Sequence, residues 1–206
     1  MNESNLFDKV KKYLMQKYRC HTIILYGSYS RGDFTDESDL DIVCFSDTTD
    51  DKNDVEAFED IQLDVWIYNT KKMNNPEEFL RVHEGRTLLN ERSLAEKFLL
   101  EIQDTYKKGP KQLSNEERVF LKSWLKKMYI RSTKNDIEGN YRFHWMLKDS
   151  LEIYFELKGL WYFGPKSSFV WLRANDEMAY ALFNNALARD ANQNSIEQLF
   201  DYINEI

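Results

Sequence analysis

Gly27-Ser28, then ten residues, then Asp39-Leu40-Asp41 is the stretch of this sequence with the most chemical content. The apolar runs Ile23-Ile24-Leu25-Tyr26 and Ile42-Val43-Cys44-Phe45 flank it. Both are short, rich in β-branched or aromatic residues and bounded by turn residues, which predicts two strands. Residues two apart in a strand share a face and lie roughly 6.6 Å apart along it. Asp39 and Asp41 then point one way, and Leu40 and Ile42 point into the core. Two carboxylates at the end of a buried strand are costly unless something positive sits between them. A divalent cation meets that need, and oxygen-only ligands select a hard ion such as Mg²⁺. Gly27 lets the chain turn sharply after the first strand. The N–H groups exposed there, with the Ser28 hydroxyl, make a cradle suited to phosphate oxygens. A phosphate cradle beside metal-binding carboxylates implies a nucleoside triphosphate bound through its metal. Arg31 lies within reach of triphosphate oxygens or of the nearby acids.

The Gly-Ser turn followed by Asp-x-Asp resembles the signature of the nucleotidyltransferase superfamily, the polymerase-β-like fold. The resemblance covers about the first ninety residues. It implies a third carboxylate on a neighbouring strand, and Leu63-Asp64-Val65-Trp66-Ile67-Tyr68 supplies one Asp in an otherwise apolar run. By the same resemblance, Asp39, Asp41 and Asp64 are the catalytic and metal-holding residues, and Gly27 and Ser28 hold the β/γ end of the nucleotide. An acceptor hydroxyl attacks the α-phosphorus and pyrophosphate leaves. Asp64 either shares a second metal or takes the acceptor's proton.

The elements that must position these groups follow from periodicity. Residues 3–19 carry Leu6, Phe7, Val10, Tyr13, Leu14 and Tyr18 at helical spacing. Residues 46–54 read as a polar, acidic loop, 61–68 as a third strand, and 86–90 as a last short strand. Pro76 with Glu77 and Glu78 marks a helix start. From about residue 91 only helical patterns follow. Ser114 with Glu117 forms a capping box, and the run 137–157 ends at Gly159. The expected fold is α+β: a small mixed β-sheet nucleotidyltransferase domain flanked by helices over 1–91, then an all-α helical bundle over 92–206.

The helical half is expected to choose the acceptor. Gly164-Pro165-Lys166 reads as a rigid turn presenting Lys166 to phosphate or to the nucleobase–sugar end. Glu152 and Glu156 lie on a polar stripe that would suit an amino-sugar, and Glu152 could replace Asp64 as the base. Trp161 and Tyr162 belong to core or interface, with Tyr162 a further candidate acceptor contact. The three histidines are scattered and take no metal role.

Bulk properties narrow the class. The 206 residues are 42% hydrophobic and 15% aromatic, enough for a real core, and the net charge is −7. Nucleic-acid binding needs a basic face, which this balance disfavours. Cys20 and Cys44 suggest no disulfide framework. No leader pattern and no apolar run near the roughly 20 residues of a bilayer span is seen, so a cytoplasmic protein without membrane contact is expected.

The layout resembles the aminoglycoside and lincosamide nucleotidyltransferases. That resemblance implies AMP transfer from ATP, with Mg²⁺, to a small hydroxylated acceptor, and a role in antibiotic resistance. Related transferases sometimes complete their sites across a homodimer, so Glu152 or Lys166 could act in trans. The alternative is an antitoxin-type nucleotidyltransferase that binds or adenylylates a protein partner.

Overall fold

The computed structural model describes residues 3–48, 50–134 and 136–206. The chain divides into two compact units, 1–108 and 109–206.

The first unit opens with α1 (Glu3–Tyr18), followed by β1 (Thr22–Leu25), α2 (Gly27–Arg31), β2 (Leu40–Ser46), β3 (Lys52–Phe58), β4 (Ile61–Asn69) and β5 (Arg86–Asn90), and closes with α3 (Ala95–Lys108). Two 3₁₀ segments, Thr70–Asn74 and Pro76–Val82, link β4 to β5. The sheet order is β3-β4-β2-β1-β5. β2 and β4 run parallel, and the other neighbours are antiparallel.

Alternation sorts the side chains to two faces. Leu40, Ile42, Cys44, Leu63, Val65 and Ile67 join Val10 and Leu14 of α1 on one face. Val43 and Phe45 join Phe79, Phe98 and Ile102 on the other. β2 and β4 are thus covered on both sides, as a central parallel pair must be. The covering of the second face explains why the first unit reaches Lys108 and not residue 91. Phe98 and Ile102 of α3 pack on Val43 and Phe45, so α3 belongs with the sheet.

Two further expectations change. Residues 52–54, expected to end a loop, open a strand over Lys52–Phe58. β3 pairs with β4 at the sheet edge, and its sequence Lys-Asn-Asp-Val-Glu-Ala-Phe is mostly polar because an edge strand with exposed faces need not be apolar. Pro76–Val82 is a 3₁₀ segment with a kink at Phe79 (φ −117°, ψ 20°), not an α-helix.

The second unit is all helical: α4 (Asn115–Ser132), α5 (Ile137–Lys158), α6 (Pro165–Asn175), α7 (Glu177–Ala186) and α8 (Gln193–Glu205). Leu147, Tyr154, Leu172, Phe183 and Leu199 share one core. α6 lies where the sequence reading placed only a turn. Pro165 occupies its first turn, a position that needs no backbone N–H. No helix among the described residues is long and apolar enough to cross a membrane.

The capping box is formed as expected. Ser114 Oγ accepts from the Glu117 N–H at 3.2 Å, and the Glu117 carboxylate accepts from the Ser114 N–H at 2.7 Å. Ser114→Ala removes one of the two bonds and is expected to cost about 1 kcal/mol. Urea denaturation would measure it, and a midpoint equal to wild type would show that the cap contributes nothing.

Candidate active site

The site is built on the face of the sheet that carries Val43 and Phe45. The Tyr26 N–H donates to the Asp41 carbonyl at 3.0 Å, which sets Tyr26 beside Asp41. Asp41 is paired in register with Asp64, and Asp64 with Val55. Tyr26, Asp41, Asp64 and Val55 therefore form one row across β1, β2, β4 and β3, with neighbouring strands about 4.8 Å apart. The next row along the strands is Ile24, Val43, Trp66 and Asn53.

Gly27 and Asp41 are in close contact. A β-carbon on Gly27 would lie 2.0 Å from Asp41 Oδ2, and Gly27 has φ +69°. Both the space and the left-handed backbone require glycine there. Ser28, in the first turn of α2, is only 4% exposed. Gly32 ends α2 in the left-handed conformation (φ 82°), and its N–H donates to the Ser28 carbonyl.

Asp64 is oriented by Asn53, whose Nδ2 donates to Asp64 Oδ1 at 2.5 Å. Asp39 precedes β2 and is exposed. Every candidate ligand is a carboxylate oxygen, so the donor chemistry fits a hard divalent cation. Asp41 and Asp64 are the pair best placed to supply it. The convergence of all three carboxylates expected from the sequence is not formed. Among the described residues no group of three or more His, Cys, Asp or Glu side chains is gathered tightly enough to hold a metal. Asp39 stands outside the strand, and Asp64 is engaged by Asn53.

Arg31 lies among the acids near it in sequence and space. It pairs with Asp33 at 3.2 Å and approaches Glu84 at 3.8 Å. Arg81, from the 3₁₀ segment before β5, is a residue the sequence reading missed. Its guanidinium carbon lies 6.0 Å from the Tyr26 ring centre and 5.1 Å from that of Trp66. Burial, first, and then Asp41 and Asp64 push the Tyr26 hydroxyl up from its ordinary range, while Arg81 opposes them. The hydroxyl, the guanidinium and both carboxylates thus share one electrostatic environment. One signal was legible: Trp66 and Tyr68 have the same strand parity as Asp64, so aromatic rings had to flank the carboxylates. Which cation covers them is fixed only by tertiary folding.

A cavity of about 630 Å³ lies at the other end of β2 and β4, lined by Asp47, Asn69, Thr70, Lys71, Lys97 and Phe98 among others. None of the residues singled out from the sequence lines it.

In the second unit, Glu152, Glu156 and Tyr162 are neighbours. Burial and then Glu152 raise the Glu156 carboxyl. Burial and then Glu152 and Asp149 raise the Tyr162 hydroxyl. Trp145 Nε1 donates to Asp149 at 2.6 Å on the same helix. Lys166 is exposed in the first turn of α6.

The family described as polymerase beta, nucleotidyltransferase matches residues 8–105. "Putative protein adenylyltransferase MJ0604" of Methanocaldococcus jannaschii is 47% identical over 49 residues, 23% of this chain and 49% of that protein. "Putative protein adenylyltransferase MJ1379" of the same organism is 37% identical over 75 residues, 33% of this chain and 75% of that protein. The chain thus spans about half the length of the first and three quarters of the second. A nucleotidyltransferase-like protein from Exiguobacterium sibiricum 255-15 aligns over 97% of this chain and 72% of its own, with a TM-score of 0.44 and 11% identity. With its mixed sheet, its Gly-Ser turn and a relative covered over three quarters of its length, the chain belongs to the polymerase-β-like nucleotidyltransferase superfamily.

Proposed function

We propose that this nucleotidyltransferase moves AMP from ATP to an acceptor hydroxyl and releases pyrophosphate. The observation that carries the reading is the register pair Asp41–Asp64, with Asp41 backed against Gly27. Asp41 and Asp64 would hold Mg²⁺. Such an ion would supply neutralisation of phosphate charge. The protein's own part is positioning. The N–H groups at Gly27 and Ser28 receive the β- and γ-phosphates. Asp64, fixed by Asn53, orients the acceptor hydroxyl and takes its proton as the new O–P bond forms. The bond from the α-phosphorus to the bridging oxygen breaks, and pyrophosphate carries off the electron pair.

The acceptor in this reading is a protein hydroxyl, because both curated relatives bear the name of protein adenylyltransferases. A second reading, a small cationic hydroxylated molecule, is favoured by the Glu152–Glu156 face with Tyr162.

The test is incubation of the full chain with Mg²⁺ and ATP labelled at the α-phosphate, against cell proteins and a panel of small hydroxylated amines. Pyrophosphate release with label on a protein band is expected. Label on a small molecule instead selects the second reading. Absence of both label and pyrophosphate with every nucleoside triphosphate would overturn the proposal.

A further inference from the structure

Arg81 has no part in the reaction as set out above, yet it sits over the carboxylate row. Tyr26 lies at the end of β1 and Trp66 on β4, with β2 between them. Tyr26 is in the Asp41 row, and Trp66 is in the next row, opposite Val43. A guanidinium within 6.0 Å of the first ring and 5.1 Å of the second must lie above β2 near Asp41. We propose that Arg81 holds a phosphate group of the bound nucleotide above the Asp41–Asp64 row, with the Trp66 ring as the bed for its guanidinium. This rests on the nucleotide-binding reading given above.

Three arguments favour phosphate. A guanidinium lying on an aromatic ring keeps its edge N–H groups free to fork toward an oxyanion, and that geometry matches phosphate. Asp41 and Asp64 are both negative, so a polyphosphate arriving beside them needs a further cation from the protein. Arg31 is held by Asp33 and Glu84, whereas the aromatic partners of Arg81 leave its charge directed at the site. Base stacking is disfavoured because Arg81 covers Trp66, and Tyr68 stacks alongside it at 6.1 Å and 11°.

The experiment measures binding of ATP and of inorganic tripolyphosphate to the full chain, with and without Mg²⁺. Wild type, Arg81→Gln and Arg81→Lys are compared. Arg81 is exposed, so both variants should fold, and a melting curve checks this. Arg81→Gln is expected to weaken both ligands about tenfold or more, in line with loss of a charge-assisted hydrogen bond. Arg81→Lys is expected to recover part of the loss, because it keeps the charge without the fork. Unchanged ATP binding in Arg81→Gln overturns the assignment. So does weakened ATP binding with unchanged tripolyphosphate binding, which would place Arg81 on the base or sugar. A wild-type chain that binds neither ligand defeats the nucleotide-site reading itself, and this proposal falls with it.

Discussion

Asp41→Asn is expected to lower turnover about a thousandfold while leaving the protein folded. The size follows from losing one fixed charge at a phosphoryl-transfer centre, where removal of a single electrostatic group costs about 10²–10³ in rate. At about 1.4 kcal/mol per tenfold, a thousandfold is roughly 4 kcal/mol of transition-state stabilisation. Stability should change little. Asp41 and Asp64 are register partners, and like charges at that spacing repel. Replacing one by a neutral residue of the same shape relieves the repulsion but also weakens the other interactions of Asp41. The melting temperature should therefore stay close to that of wild type. Asn also keeps the contact with Gly27, so the turn is preserved. Pyrophosphate release under saturating ATP and Mg²⁺ measures the first effect, and a thermal melt measures the second. A variant within tenfold of wild-type turnover would remove Asp41 from the reaction. A large fall in melting temperature would make it a structural residue.

The legible and illegible parts of this molecule divide along physical lines. β1, β2 and β4 could be read because a strand buried on both faces must be apolar almost throughout, so a single Asp in Leu63-Asp64-Val65-Trp66 stands out. The sharp turn after β1 could be read because Gly27 permits it, and Gly27 takes positive φ. The α4 cap could be read because Ser114 and Glu117 have one favourable arrangement. β3 could not, because an edge strand half in water carries Lys52, Asn53 and Asp54 without penalty. α6 was hidden by Gly164-Pro165, which signals a turn or a helix start equally well until Phe169 and Leu172 are seen to pack inward. The placement of α3 against the sheet is not legible, because α3 has the same helical periodicity whether it covers a sheet or joins a bundle. For the site itself, Asp41 and Gly27 were visible as residues, but their contact was not. The roles of Asn53 and Arg81 depend wholly on register and on the 3₁₀ segment, which local sequence does not encode.

Gly27→Ala should be nearly as damaging as loss of the carboxylate, by a different route. An alanine there meets two obstacles at once. Its backbone must hold φ near +69°, a region costing a non-glycine residue about 1–3 kcal/mol. Its methyl group would also fall 2.0 Å from Asp41 Oδ2, well inside any permitted contact. The neighbouring chain can yield only by turning the Asp41 carboxylate aside or by shifting α2. Either movement displaces a reacting-site group by an ångström or more, and such a displacement costs about a hundredfold in rate. The expected result is thus a hundredfold or greater loss of turnover together with a lowered melting temperature. This combination separates it from Asp41→Asn, where stability is kept. The double variant gives the sharper test. If the methyl acts through Asp41, adding Gly27→Ala to Asp41→Asn should reduce activity much less than it does in wild type, because the group it displaces is already disabled. If the two losses simply multiply, the contact between Gly27 and Asp41 is incidental, and glycine is needed there for the backbone alone.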